Sequence, residues 1–301
     1  MPQISFDNFF EGEALVHLER AIRAALLEDG PDLTSRGVFS AQDTLTAEIR
    51  AKEDTLLAGL PLIDMILEQT SALEPGERRI AKYAEEGETV RAGTCVAAVT
   101  GGACLLMRAE RVILNFICRL SGIANLTRKY VSELEGSGVR LLDTRKTAPG
   151  LRYPDKYAVL VGGGTNHRKN LAEMLLLKDN HIQALGSITA AVSRLRAACP
   201  SGLPIEVECG TPEEAAEASA CGVSRIMLDN MTPDLIHNTL NLVPKSIEVE
   251  ISGQVRLENI RALAALGDRR KADFISVGRI THSAPVADFS MSIGRSDAHS
   301  G

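Results

Sequence analysis

The apolar positions change period several times along the chain, and each change marks an element. Leu15, Leu18, Ile22 and Leu26 recur at helical spacing, whereas Leu45, Ala47, Ile49 and Ala51 alternate strictly with polar residues. The first pattern lays one stripe of a helix on a core; the second gives a strand with one face buried. Pro61 suits the first turn of a short helix carrying Leu62, Met65 and Ile66, because its fixed φ is helical and its missing N–H has no partner there. Turns at Gly87 and Gly93 then bracket short strands that end near Val99. This first third reads as an α+β unit.

From Ala103 a longer helical pattern places Leu106, Ala109, Ile113, Phe116, Ile117 and Leu120 on a broad apolar face and runs past Gly122 toward Leu134. Beyond it the texture changes. Short strand-like runs at residues 139–142, 174–177, 205–209, 225–228, 247–251 and 274–277 alternate with helical ones, which predicts βα units around a parallel sheet. Thr211-Pro212 and Thr232-Pro233 each supply an N-cap hydroxyl and a proline at the first helical position, so helices start directly after two of those strands. Gly222 and Gly267 suit helix ends, and the polar stretch 294–301 reads as frayed.

With 301 residues and 45% apolar content the chain can build one large domain, or one large and one small. A net charge of −6 argues against a broad nucleic-acid footprint, which needs a basic face. Any anion site is therefore local. Residues 1–10 lack the basic start and long apolar run of a signal peptide, and no later stretch is long enough to span a membrane. A soluble, cytoplasmic protein is expected. Its six cysteines, at positions 95, 104, 118, 199, 209 and 221, form no CxxC pair and no metal-finger spacing, so reduced and mostly buried thiols are expected.

The predicted strand ends carry the chemistry. In sequence they bear Asp143-Thr144-Arg145-Lys146, then Lys178-Asp179-Asn180-His181, Glu208, Asp229, Ser252-Gly253 and Gly278-Arg279. In (β/α) barrels the carboxyl ends of the strands build the active site. Early cations suit a substrate with several anionic groups, since charge-assisted hydrogen bonds are the strong ones. The late Ser252, Gly253 and Gly278 suit a phosphate, because small residues let backbone N–H groups approach its oxygens. Glu208 and Asp229, on neighbouring strands, suit a Mg²⁺ held through water or substrate oxygens. An alternative makes Glu206 and Glu208, like Glu248 and Glu250, simply the polar face of alternating strands.

Other residues leave more than one reading open. Gly162-Gly163-Gly164 is either an anion-binding loop or a flexible connection, and the following His167-Arg168 offers a donor and a guanidinium fork for planar carboxylates. Lys178 after an apolar strand is a Schiff-base lysine, a lysine snorkelling at a rim, or a fixed charge in an anion site. With Arg145 and Lys146 predicted nearby, the last is preferred. By periodicity alone Arg111 is a solvated helix residue.

These residues stand in eight ordered segments: Glu110-Arg111 to Asn115 with Ser121 to Ala124; residues 142–147; residues 162–168; residues 177–181; residues 205–208; residues 227–230; residues 250–253; and Val277-Gly278 with Thr281-His282-Ser283. In all of them the chain resembles the quinolinate phosphoribosyltransferases, also called carboxylating nicotinate-nucleotide pyrophosphorylases. The resemblance implies an incomplete, TIM-like α/β barrel at residues 117–282, with an open-faced α/β sandwich domain at residues 1–116 and 283–301. It implies a pentosyltransferase of NAD biosynthesis, joining quinolinate to 5-phosphoribosyl-1-pyrophosphate (PRPP) with Mg²⁺ and releasing pyrophosphate and carbon dioxide. It also implies a homodimer in which Arg111 reaches the partner's site, and leaves assembly into hexamers open. Arg145, His167, Arg168 and Lys178 would hold quinolinate, Lys146, Glu208 and Asp229 would serve PRPP and magnesium, and Ser252, Gly253 and Gly278 would surround phosphate. Lys146, Lys178, Glu208 and Asp229 are the catalytic set so implied.

The chain departs from that pattern at Glu28-Asp29-Gly30-Pro31-Asp32, at Leu160 where the family often has arginine, and at Gln254 where it has a second glycine. Three rivals remain at this level: a molybdenum-transport-associated paralogue, which usually lacks the full Asn-His-Arg and Lys-Asp-Asn-His sets, a noncatalytic anion-binding homologue, and a lysine aldolase.

Overall fold

The structure is a computed structural model that describes residues 5–199 and 202–295. In chain order its strands are β1 (Thr44–Ala51), β2 (Thr55–Leu56), β3 (Arg78–Lys82), β4 (Thr89–Val90), β5 (Cys95–Gly102), β6 (Arg140–Leu142), β7 (Leu175–Leu177), β8 (Ile205–Cys209), β9 (Arg225–Asp229), β10 (Glu248–Ser252), β11 (Phe274–Ser276) and β12 (Phe289–Gly294). Contacts divide the chain into two compact units: Met1–Thr127 with Thr147–Gly163 and Thr281–Gly301, and Arg128–Lys146 with Gly164–Ile280.

The first unit is built on an antiparallel sheet ordered β12-β1-β5-β3. Leu45, Ala47, Ile49 and Ala51 are its buried positions on β1, as alternation requires. The Gly12–Glu28 helix buries Leu18, Ile22 and Leu26 and packs on the Leu62–Ser71 helix, where Pro61 is the N-cap. Helix Ala103–Glu133 runs unbroken for 31 residues, as its apolar face predicts. Gly122 lies in its middle because the backbone of Pro285 and Val286 passes where a Cβ would stand.

Residues 147–163 group with this unit through packing that the hydrophobic pattern does not disclose. In the Arg152–Val161 helix, Asp155 is fully buried and accepts two 2.7 Å hydrogen bonds from Arg119. Tyr157 sits among the rings of Phe6, Phe9 and Phe10. Gly162 meets Ala124 and Thr127 too closely for any side chain, and Gly163 turns the chain at φ +90°. At least the first two glycines of the triplet are thus packing and turn devices.

The second unit holds a wholly parallel sheet ordered β6-β11-β10-β9-β8-β7. From β7 to β11 each strand pairs with the next in sequence, and β11 then pairs with β6. Thr165 adds a single parallel bridge on the free edge of β6. This is the incomplete barrel expected. The helices Pro212–Ala220 and Pro233–Leu242 start where predicted, capped by the hydroxyls of Thr211 and Thr232. The predicted turn at Gly222 is left-handed, at φ +61°.

The strands alternate, but their polar side is not the outer one. Glu206 on β8 and Glu250 on β10 are separated by β9, so in a flat sheet their backbones would lie roughly 10 Å apart. Their carboxylates nevertheless converge on one imidazole, with ligand atoms within 4.8 Å of one another. That happens only on the concave side of a curved sheet. The barrel interior is therefore charged, while Val207, Leu228, Val249 and Ile251 form the buried outer face.

Residues 296–301, most of the stretch read as frayed, lie outside the described residues. All six cysteines are free thiols; only Cys209 is buried, so the expectation of mostly buried thiols is corrected. Among the described residues no helix is long and apolar enough to cross a membrane.

Candidate active site

At the end of β6 the carboxylate of Asp143 is buried and accepts from the backbone N–H of His167 (2.8 Å) and the side-chain amide of Asn166 (2.7 Å). Two backbone hydrogen bonds, Thr165 N–H to Leu141 and Asp143 N–H to Thr165, tie the same segment to β6. The turn that delivers Arg168 is thus held from below. Arg168 donates to the carbonyl of Met174 at 3.0 Å. Burial depresses the affinity of its guanidinium for a proton, and the nearby positive charge of Arg145 depresses it further. Since arginine stays charged, two half-buried guanidiniums so placed form a site that gains by taking up an anion.

Lys178 follows β7 and is about half exposed; its ammonium lies 3.3 Å from a carboxylate oxygen of Glu208. Its backbone N–H donates to Nδ1 of His181, which spends that nitrogen on the start of the Asp179–Leu185 helix. Burial raises the Glu208 carboxyl above its usual range; Lys178 opposes the shift and Asp229 adds to it. Asp229, at the end of β9, accepts from the side chain of Asn230 at 2.6 Å. Lys146 is exposed, and its N–H donates to the hydroxyl of Thr144 at 3.0 Å.

Ser252 closes β10 in register with Asp229, and its carbonyl accepts from Asn230 N–H at 3.0 Å. Gly253 follows at φ +88°, and a Cβ there would stand 2.8 Å from the backbone nitrogen of Asn230 and closer still to its side chain. Only glycine fits. Asn230 and Gln254 are themselves left-handed, at φ +54° and +51°, so strain concentrates where these two strands end. Gly278 follows β11 and is partly exposed, one residue before the short Arg279–His282 helix.

Beneath these groups His167 is buried with its ring turned to the barrel interior. Nδ1 accepts from the backbone N–H of Arg168 at 2.8 Å. Nε2 lies 3.0 Å from Glu206 Oε2 and 3.4 Å from Glu250 Oε2. Burial pushes Glu206 up to about 7, and burial plus the Glu206 charge pushes Glu250 up to about 8. Arg225, 3.6 Å from Glu250, is the nearest cation from below.

Arg145, Lys146, His167, Arg168, Lys178, Glu208, Asp229, Ser252, Gly253 and Gly278 all lie at or just after carboxyl ends of the parallel sheet, except that the His167 ring points inward. Arg111 is exposed on the long helix of the first unit.

The sequence profile of the quinolinate phosphoribosyl transferase C-terminal domain matches residues 123–292, and that of the N-terminal domain matches residues 32–121. The chain belongs to the quinolinate phosphoribosyltransferase family. It is 40% identical over 280 residues to the probable carboxylating nicotinate-nucleotide pyrophosphorylase of Bacillus subtilis, covering 92% of this chain and 94% of that one. It is 35% identical to the carboxylating nicotinate-nucleotide pyrophosphorylase of Homo sapiens, over 94% and 95% of the two chains. Among solved structures, NadC from Streptococcus pyogenes superposes with a TM-score of 0.85 at 36% identity, over 93% of this chain and 97% of that one.

Asp143, Glu206 and Glu250 were not among the site residues expected from sequence, Glu208 having been preferred to Glu206. The only available signal for the glutamates was the repeated Glu-x-Glu of Glu206-Val207-Glu208 and Glu248-Val249-Glu250, which does not say which side of the sheet is polar.

Proposed function

We propose that this protein transfers the phosphoribosyl group of PRPP to quinolinate with decarboxylation, forming nicotinate mononucleotide, pyrophosphate and carbon dioxide for NAD biosynthesis. The observation that carries this reading is the pair of half-buried guanidiniums, Arg145 and Arg168, held at the strand ends that precede the Lys178, Glu208 and Asp229 positions. A dianion with two adjacent planar carboxylates matches the first pair, and an anionic pyrophosphate ester that would carry Mg²⁺ matches the rest.

Arg145, Arg168 and Lys178 take the carboxylates of quinolinate with His167 beside them, and Arg111 completes the site from the partner subunit of a homodimer. The ring nitrogen then faces C1 of the phosphoribosyl group. The new bond forms from the nitrogen lone pair to C1 as the bond from C1 to the pyrophosphate oxygen breaks. Positioning supplies much of the rate. Lys146 and Lys178 neutralise charge on the leaving pyrophosphate, and Glu208 and Asp229 stabilise positive charge developing on the ribose. In the second stage the bond from C2 of the ring to its carboxylate breaks, carbon dioxide leaves, and C2 takes up a proton.

Glu208 and Asp229 fit magnesium by donor chemistry: they are hard oxygen donors, partly exposed, whose like charges oppose one another. Bound there through water or PRPP, the ion would supply charge neutralisation to the pyrophosphate. Ser252, Gly253 and Gly278 offer backbone N–H groups to phosphate. The protein works in the cytoplasm.

Purified protein incubated with quinolinate, PRPP and Mg²⁺ should yield nicotinate mononucleotide by mass spectrometry, with no product from nicotinate or nicotinamide. Arg145→Ala should lose most use of quinolinate while keeping its far-UV circular dichroism and melting transition. Product from nicotinate at a matching rate, or near-normal turnover in Arg145→Ala, would refute the assignment.

A further inference from the structure

The interior grouping of Glu206 and Glu250 around His167 leaves the two glutamates with no task in the transfer just described. It is also an expensive way to fill a barrel. The interior of such barrels is usually packed by branched apolar side chains, and a Val or Leu layer would occupy this space without desolvating two carboxyls. Both glutamates are fully buried, and His167 is nearly so.

A divalent metal is the first chemical explanation for one histidine and two carboxylates so close together. The hydrogen bonds argue against it. Nδ1 of His167 accepts from the Arg168 N–H, so that nitrogen carries a lone pair and the neutral ring has its proton on Nε2. Nε2 is the nitrogen facing the glutamates. A metal there would need the ring stripped of both protons. Instead the protonated Nε2 edge of the ring faces two carboxyl groups 3.0 and 3.4 Å away, in contacts that are close but not aligned as hydrogen bonds.

The consequence reaches the substrate end through the backbone. The His167 ring supplies the acceptor for Arg168 N–H, Asp143 supplies the acceptor for His167 N–H, and the glutamates set the direction in which the ring lies. If the ring turns, Arg168 N–H loses its partner. We propose that Glu206 and Glu250 are positioning residues for quinolinate: together they hold the Nε2 edge of the His167 ring by close electrostatic contact and thereby fix the turn from which Arg168 reaches the substrate. This rests on the reading of Arg168 as a quinolinate residue. In this arrangement His167 acts by orienting its neighbour rather than by donating to the carboxylates itself.

Steady-state kinetics of Glu206→Leu, Glu250→Leu and their Gln counterparts test the clamp. Leucine removes the polar group that faces Nε2, whereas glutamine keeps a carbonyl dipole there and an amide that can bond the remaining carboxylate. The Leu variants should raise the KM for quinolinate about tenfold or more, leaving the KM for PRPP within about twofold, since small displacements of a positioned group are costly. The Gln variants should recover most of the lost quinolinate affinity. Parallel changes in both KM values, or Gln variants as impaired as Leu, would mark the cluster as filler and overturn the proposal.

Should the Leu variants fail to fold, ¹⁵N NMR of the wild-type imidazoles decides, with His167 assigned by difference from His167→Gln. A protonated Nε2 and an acceptor Nδ1 are expected; the opposite tautomer, or one transition metal per chain by elemental analysis, overturns the clamp. Arg168→Ala separates the two layers of the argument. If it leaves the quinolinate KM unmoved, the assignment of Arg168 fails while the tautomer measurement still judges the clamp.

Discussion

At Gly253 the backbone has been given to glycine by geometry, and one residue later the same need is met by glutamine. Gln254 is left-handed at φ +51° without a side-chain hydrogen bond described for it, and a non-glycine residue there costs on the order of 1 kcal/mol. Gln254→Gly should therefore raise unfolding stability by roughly that amount in urea titrations. Gly253→Ala should do the reverse, and should also weaken PRPP use about tenfold or more by forcing the Asn230 backbone away, a displacement of the kind that misplaces bound groups. The need for glycine at 253 was readable, because glycine after a strand end marks a close backbone approach, and there a Cβ would collide with Asn230. Glu206 and Glu250 were not, since alternation reports a polar face but not whether it looks into a barrel. Glu250 carries a pH signature of that burial. Its folded pKa, about 8, lies above the ordinary 4.5, so below pH 4.5 it is protonated in both states and costs nothing. As pH rises from 4.5 to 8 only the unfolded chain releases the proton, and stability falls. Wild type should lose more stability than Glu250→Gln between pH 5 and pH 8, measured by denaturant midpoints; equal losses would place the carboxyl in contact with water.

Elements were legible where local signals coincide. The six strands of the parallel sheet were read to within one residue at each end, because short apolar runs, hydroxyl caps and Thr-Pro starts all agree there. The Arg152–Val161 helix was not read, and its composition explains why. Asp155 and Lys156 stand in its middle and are both fully buried, so no apolar stripe announces which face is covered. What holds it is the double hydrogen bond from Arg119, with Asp155 also accepting from Ala148 N–H at 3.1 Å. Burial outweighs the favourable guanidinium and leaves the Asp155 carboxyl above its usual range, so the pair defines the geometry more than it stabilises. Removing one partner is nevertheless severe. Asp155→Ala should destabilise the protein by roughly 3–5 kcal/mol, the usual cost of stranding a buried charge, whereas Arg119→Leu combined with Asp155→Leu should recover part of that loss in the same melting experiment.

On the scale of the whole molecule, the sequence signals and the two matched domains agree on the architecture, and the residues proposed for the reaction are divided between the two units, Arg111 in the first and the others in the second. Arg111 is an exposed residue of the Ala103–Glu133 helix, and among the described residues it has no ion-pair partner that would explain a guanidinium there. A homodimer in which each active site takes Arg111 from one subunit and Lys146 from the other gives it a use, and makes a quantitative prediction. Arg111→Ala and Lys146→Ala should each be nearly inactive alone. Mixed, exchanged by mild denaturation and refolded together, half of the dimers are hybrids, and each hybrid has one site lacking both side chains and one site intact. Activity should then return to about a quarter of the wild-type level under the two-fold symmetry of such a dimer. A mixture that stays inactive while analytical ultracentrifugation shows hybrid dimers would mean that Arg111 and Lys146 serve the same subunit's site, and the shared-site arrangement would have to be abandoned.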